Sequence, residues 1–294
     1  MRKLLSLVLV TVASLMYVGC SNNSSSVTAP SDENFSQRPD FVDNRPQAVI
    51  EQSTLQADAD YAVWLAEQKD NVDHNVKADP NPNPKNKYAY IVGVSNYSGT
   101  SNDLQYCDDD ARDWKTYLTS QGFTVRMDLD LAATKTNITA GLNWLKTIAV
   151  AGDEIVFCYS GHGTKSGSTG SCMISTDMYY LGHAWAMQYI NGSKATKKCV
   201  TLDACYIGDF HNDAVNGMVV ATASTNTYSY DGTSSMANGA WTYYFMEGLK
   251  KAGTYNYAEV SANYAKTKMT TWGQQNGLST SPKNTDKYSG DYDF

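Results

Sequence analysis

The sequence predicts an α/β domain built on a mainly parallel sheet with helices on both faces. From Lys87 onward, short runs rich in Tyr, Ile and Val alternate with amphipathic stretches of helical length, the order that lays parallel strands beside one another with crossover helices packed on the sheet. The apolar runs end in small-residue turns, as at Ser160-Gly-His-Gly and Asp203-Ala-Cys. With 42% hydrophobic residues among 294, the chain can bury one large core or two small ones.

The chain before Lys87 is of another kind. Met1-Arg-Lys followed by the apolar run Leu4 to Met16 has the charged start and short greasy centre of a secretory signal, and it is too short for a spanning helix of about 20 apolar residues. It closes on Tyr17-Val-Gly-Cys20-Ser-Asn-Asn-Ser, which resembles the lipobox of bacterial lipoproteins. The resemblance implies a leader over residues 1–19, lipid attachment to the Cys20 thiol and a membrane-anchored, extracytoplasmic protein. Tyr17 stands where Leu is usual, and plain secretion is the alternative. Residues Ser21 to about Val49 are polar, with three prolines and no periodic apolar face, and read as a flexible tether. Thr54 to Gln68 places Leu55, Ala59, Ala62, Val63 and Ala66 at helical spacing, a short amphipathic helix. Asp79-Pro-Asn-Pro-Asn-Pro-Lys85 reads as a stiff linker. Residues 20–86 are thus expected to precede a folded domain at 87–294.

Within that domain the expected elements run as follows. Tyr88 to Ser95 is a strand; Leu104 to Gln121 is a helix stopped by Gly122; Phe123 to Leu129 is the second strand. Ala133 to Val150 is a helix with Leu142, Leu145 and Ile148 on one face, followed by Gly152, and Glu154 to Tyr159 is the third strand. A loop and a polar excursion lead to a helix around His183 to Ile190. Cys199 to Leu202 and Gly217 to Ala223 are the next strands, and Ala237 to Lys251 and Tyr255 to Trp272 are helices. The polar stretch from Ser281 to Phe294 has room for one edge strand, where Pro is tolerated.

The formal net charge is −7, and loss of Arg2 and Lys3 with the leader makes it −9. Such a surface excludes nucleic acid as a partner, because binding phosphates needs a basic footprint. Five cysteines remain once Cys20 is set aside, an odd count that leaves at least one free thiol or an intermolecular bridge; Cys205 is expected to be the free one, and buried reduced thiols are expected at Cys158 and Cys199, which lie inside apolar strands. Cys172, His183 and His211 fit no tight zinc spacing and are expected to be structural. No metal ligand set is assigned.

The chemistry gathers at two strand ends. If Glu154–Tyr159 and Cys199–Leu202 are neighbours in the sheet, His162 and Cys205 emerge side by side at its carboxyl edge, a general base next to a thiol nucleophile. Glycines on both sides of His162 allow a sharp turn and keep the imidazole uncovered. The backbone amides of Gly163 and Cys205 could then face a developing oxyanion.

Phe157-Cys-Tyr-Ser-Gly-His-Gly-Thr followed by Thr201-Leu-Asp-Ala-Cys resembles the catalytic pair of the caspase-like cysteine peptidases, among them metacaspases and clostripain. Tyr90-Ile-Val-Gly-Val-Ser, Leu104-Gln-Tyr-Cys-Asp-Asp-Asp-Ala and Gly239-Ala-Trp-Thr-Tyr-Tyr-Phe-Met-Glu-Gly-Leu extend the likeness over Lys87 to Phe294. The resemblance implies a three-layer sandwich, His162 as base, Cys205 as nucleophile forming a thioester acyl-enzyme, and Asp203 with Asp110 as the acidic walls of a pocket for Arg or Lys. It implies no required cofactor, with calcium activation through Asp108, Asp109, Asp110 and Asp113 as one option and a dipole-favoured first helical turn as the other. Protein or peptide substrates and a membrane reached through the lipid are the expected partners. Tyr206-Ile-Gly departs from the residue, Ser, Gly sequence usual after the cysteine in metacaspases. The alternatives are a non-catalytic binding or scaffolding lipoprotein of the same fold, and a peptidase of Asn or Asp specificity.

Overall fold

A computed structural model describes residues 79–98, 102–167, 169–251 and 256–294. The expected leader, Cys20, the tether and the helix at Thr54 to Gln68 lie outside them. The strands are β1 (Lys87–Gly93), β2 (Thr124–Leu129), β3 (Glu154–Ser160), β4 (Gly163–Ser166), β5 (Gly170–Ile174), β6 (Tyr180–Gly182), β7 (Lys197–Asp203), β8 (Met218–Thr222) and β9 (Lys283–Asp286). The helices are α1 (Cys107–Ser120), α2 (Lys135–Ile148), α3 (His183–Asn191), α4 (Ala240–Lys251) and α5 (Ala258–Gln275).

Six strands form one sheet in the order β2-β1-β3-β7-β8-β9. Every pairing is parallel except that of β9, which runs antiparallel to β8 at the edge. The strand order reverses between β1 and β3, since β2 continues to one side of β1 and β3 to the other. At such a reversal, a crevice opens beyond the carboxyl ends of the strands.

Two cores sandwich the sheet. Tyr90, Phe157 and Val200 pack with Ile138, Leu142 and Leu145 of α2 and with Trp185 and Ile190 of α3. Ile91, Cys158 and Val219 pack on the other face with Trp114 and Leu118 of α1, Trp241 and Phe245 of α4, and Ala262 and Trp272 of α5. Alternate residues of each strand therefore serve opposite layers, the period of two expected of a strand. Cys107, Cys158, Cys172 and Cys199 are free and buried. Thr134 starts α2 by accepting the Asn137 N–H at 3.2 Å, which satisfies one of the amides a helix leaves unpaired at its start.

Two features depart from the sequence expectation. The polar excursion after His162 forms a second, antiparallel sheet, β4-β5-β6. Its strands are three to five residues long and too polar at Thr164-Lys-Ser to show alternation. The run Asp79 to Asn86, expected as a linker, is tied to the domain. Its Lys85 N–H and the Asn81 side-chain amide both reach the Gly152 carbonyl, at 3.1 and 3.2 Å, and Asp79 accepts from the fully buried Lys197 ammonium at 2.9 Å. Lys197 also pairs with Asp293 near the C-terminus. One buried cation at the start of β7 thus fastens both flanks of the domain to the sheet, and its loss would leave the largely covered Asp79 carboxylate without its partner.

Among the described residues no helix is long and apolar enough to cross a membrane.

Candidate active site

β3 and β7 pair in parallel with Ser160 opposite Asp203, so the turns that follow them leave the sheet side by side. The Gly161 N–H bonds the Asp203 carbonyl at 3.2 Å and extends the pairing one step beyond the strands. His162 and Cys205 follow, both fully buried, so the imidazole is covered and not, as expected, left uncovered by its flanking glycines. A Cβ placed on Gly163 would lie 2.3 Å from the Cys205 carbonyl oxygen and 3.0 Å from its nitrogen. Only glycine lets the residue after the histidine lie this close to the peptide of the cysteine.

The imidazole is held from several sides. One ring nitrogen, Nε2, lies 2.7 Å from the Asn102 carbonyl oxygen. The Tyr97 hydroxyl accepts the His162 backbone N–H at 2.7 Å, and the two rings are 4.7 Å apart. Tyr159 places its hydroxyl 2.7 Å from the His162 carbonyl and 2.8 Å from that of Ile174, pinning the turn to β5. Burial pushes both phenols above the usual tyrosine range, so they act as neutral hydrogen-bonding groups.

The cysteine sits at a strained turn. Tyr206, the next residue, has φ of 56°, a left-handed conformation that costs a side-chain-bearing residue roughly 1–2 kcal/mol. It is held there by bonds from the N–H groups of Tyr206, Ile207 and Gly208 to the carbonyls of Thr227, Ser224 and Thr225, at 3.0, 3.2 and 3.0 Å. The Ser229 N–H reaches the Cys205 sulfur at 3.2 Å. The sulfur, expected as a free thiol, is joined in a disulfide in this structure; once that bond is reduced, an amide donor aimed at it favours the thiolate over the thiol.

Beside this pair lies a narrow cavity of about 10 Å³, the room of one water, lined by Leu104, Cys107, Ser160, Asp203, Asp231 and Gly239 among others. Asp203, at the end of β7, accepts from the Ser229 hydroxyl and from the Thr242 N–H and hydroxyl, the last two at 3.0 Å. Asp110, in the first turn of α1, is fully buried. It accepts from the Ser160 hydroxyl at 2.6 Å, the Asn238 amide at 3.0 Å and the Gly239 N–H at 2.9 Å. A Cβ on Gly239 would stand 2.4 Å from an Asp203 oxygen and 2.8 Å from an Asp110 oxygen, so the two carboxylates converge on one glycine. Burial, and next the Asp203 charge, push the Asp110 carboxyl well above the usual range.

The remaining candidates do not join them. Asp108 and Asp109 both pair with Arg112 on the surface of α1, and Asp113 receives the Asn238 amide at 3.3 Å. The four aspartates thus divide between two partners, Arg112 and Asn238, rather than converging on a common centre. His211 lies between Thr285 and Thr222, at 2.9 and 2.8 Å, and burial pulls it down to about 3. His183 pairs with Asp213 at 2.5 Å. Among the described residues, no group of three His, Cys, Asp or Glu side chains could hold a metal. The role of Tyr97 was not legible in the sequence, because it comes from a loop without a motif, whereas Ser229 and Asp231 lie in the segment Thr222 to Asp231, which the resemblance implies as one wall of the substrate cleft without assigning a side chain. Ser160 lies inside the His motif, and its hydroxyl is what ties Asp110 to that strand end.

The chain is similar in sequence or fold to several known proteins. A metacaspase-1 from Mycosarcoma maydis is 31% identical over 90 residues, 28% of this chain and 22% of that protein. A metacaspase-3 from Arabidopsis thaliana is 33% identical over 97 residues, 30% of this chain and 27% of its own length. The matched stretch thus spans about a quarter of the length of these relatives. A crystal structure of a Geobacter sulfurreducens protein superposes with a TM-score of 0.53 at 16% identity, covering 70% of this chain and 95% of that one, a likeness of fold alone. The family profile for the caspase domain matches residues 86–288, and with this match over most of its length the chain belongs to the caspase-domain family.

Proposed function

We propose that this protein is a cysteine endopeptidase that cleaves after Arg or Lys. The observation that carries the reading is the placement of His162 and Cys205 on adjacent parallel strand ends, with the Gly163 α-carbon against the Cys205 peptide. In the proposed reaction the Cys205 thiolate attacks the scissile carbonyl carbon, and the amides of Gly163 and Cys205 receive the oxyanion. His162 carries the proton taken from the thiol to the leaving amine, and the peptide C–N bond breaks to leave a thioester. Water, deprotonated by His162, then hydrolyses the thioester and returns the thiol. Asp203 and Asp110 supply the countercharge that a buried cationic side chain requires. The cavity, about 10 Å³ as it stands, has to widen to admit such a side chain.

A peptide-library cleavage profile tests activity and specificity together. Cleavage concentrated after Arg and Lys is the expected result. A folded protein that cuts no library peptide supports a binding lipoprotein instead, and cleavage after Asn or Asp removes the acidic pocket from the reading.

The leader and its Cys20 support an extracytoplasmic, lipid-anchored placement for this activity. The full chain expressed in a bacterium is expected to partition into detergent, and Cys20→Ser to move it to the aqueous phase. Equal partitioning of the two proteins would remove the anchor.

A further inference from the structure

We propose that Asp231 is a third carboxylate of the cation pocket and that it tips the site toward arginine over lysine. The inference rests on the peptidase reading above. Asp231 lines the same cavity as Asp203 and is only 8% exposed, although it comes from a different part of the chain, the segment after β8. That segment is closed on itself. Asp231 and Gly239 form an antiparallel bridge, the Ala240 N–H bonds the Tyr230 carbonyl at 2.9 Å and the Gly232 N–H bonds the Asn238 carbonyl at 2.8 Å. The Gln105 N–H reaches an Asp231 oxygen at 3.3 Å and fixes the carboxylate from the side of α1. Gly239 therefore stands between the Asp110–Asp203 pair, which it touches, and Asp231, which it is bridged to.

The chemistry of the first two carboxylates gives the third its effect. A carboxylate has about four accepting positions. Asp203 receives three hydrogen bonds from Ser229 and Thr242, and Asp110 receives three from Ser160, Asn238 and Gly239. Much of their accepting capacity is thus committed within the protein. A lysine ammonium is a compact point charge with three donors, whereas a guanidinium spreads five donors over a rigid plane. A carboxylate contributed by another loop gives that plane an additional acceptor that a point charge bound at Asp203 does not need. Charge-assisted bonds of this kind are roughly twice as strong as neutral ones.

The test compares kcat/KM for matched Arg and Lys peptide amides in the wild type and in Asp231→Asn. The Arg-to-Lys ratio is expected to fall by about 10-fold in the variant, with lysine cleavage changed by no more than about 3-fold. A ratio that stays the same, or equal losses on both substrates, overturns the inference while leaving the peptidase reading in place. A wild type that cleaves neither substrate overturns both. A second measurement needs no variant: propylguanidine is expected to inhibit the wild type at about one-tenth the concentration of butylamine, and equal inhibition overturns the inference.

Discussion

Cys205→Ala is expected to lower hydrolysis of Arg and Lys amides by at least about 1,000-fold, and His162→Ala by a comparable factor. The double variant is expected to lose little more than either single one. A nucleophile and its base act as a unit, so removing one removes the use of the other. Single-turnover assays on purified protein check the losses, and retained hydrolysis in Cys205→Ala would exclude this thiol as the nucleophile. The two residues should also separate in one respect. Iodoacetamide reports the thiolate fraction directly, and the Ser229 N–H reaches the sulfur at 3.2 Å without help from the imidazole. His162→Ala is therefore expected to slow alkylation of Cys205 without abolishing it, whereas it nearly abolishes turnover, because protonating the leaving amine has no other donor in the proposed reaction.

The prediction depends on a geometry of which only part could be read from residues. β3 and β7 are apolar runs capped by Ser160-Gly-His-Gly and Asp203-Ala-Cys, and parallel neighbours with such ends must present them at one edge. That the two strands are neighbours was the condition of the reading, and it is met, with Ser160 opposite Asp203. The expected edge strand near the C-terminus is found as well, short and antiparallel to β8. The supports of the site could not be read in the same way. Tyr97 touches His162 from a loop 65 residues earlier, and nothing in its neighbours marks it. The β4-β5-β6 sheet escaped because its stability comes from packing against α3 and the turn after Cys205 rather than from its own alternation. Asp110 is the instructive middle case. Three consecutive aspartates open α1, and their order along the chain does not say which one faces inward. The helix settles this by its turn. Asp108 and Asp109 share Arg112 outside, leaving Asp110 on the face that packs on β1 and β3. There it meets Ser160 and Gly239.

That inward placement makes Asp110 the group whose charge state is expected to set how well the pocket holds a cation. Its carboxyl is raised well above the usual range by burial and then by the Asp203 charge, so at mildly acidic pH Asp110 retains its proton. Two carboxylates this close titrate as a pair, and a bound guanidinium favours loss of the second proton. Basic selectivity should accordingly rise with pH above the ordinary carboxylate range and level off beyond the raised Asp110 value. The ratio of cleavage at an Arg peptide to cleavage at its neutral citrulline counterpart isolates this effect, since the pH dependence of the chemical step is common to both substrates and cancels. Asp110→Asn is expected to lower that ratio by about 100-fold at the alkaline plateau, the scale of losing one partner of a desolvated charge pair, and to flatten its rise with pH. Asp203→Asn should act differently. With its like-charged neighbour gone, Asp110 ionises more readily, so the rise is expected to persist but to shift to lower pH. If both variants reproduce the wild-type curve, the carboxylate pair does not face the substrate; if both flatten it alike, the two groups do not titrate against one another.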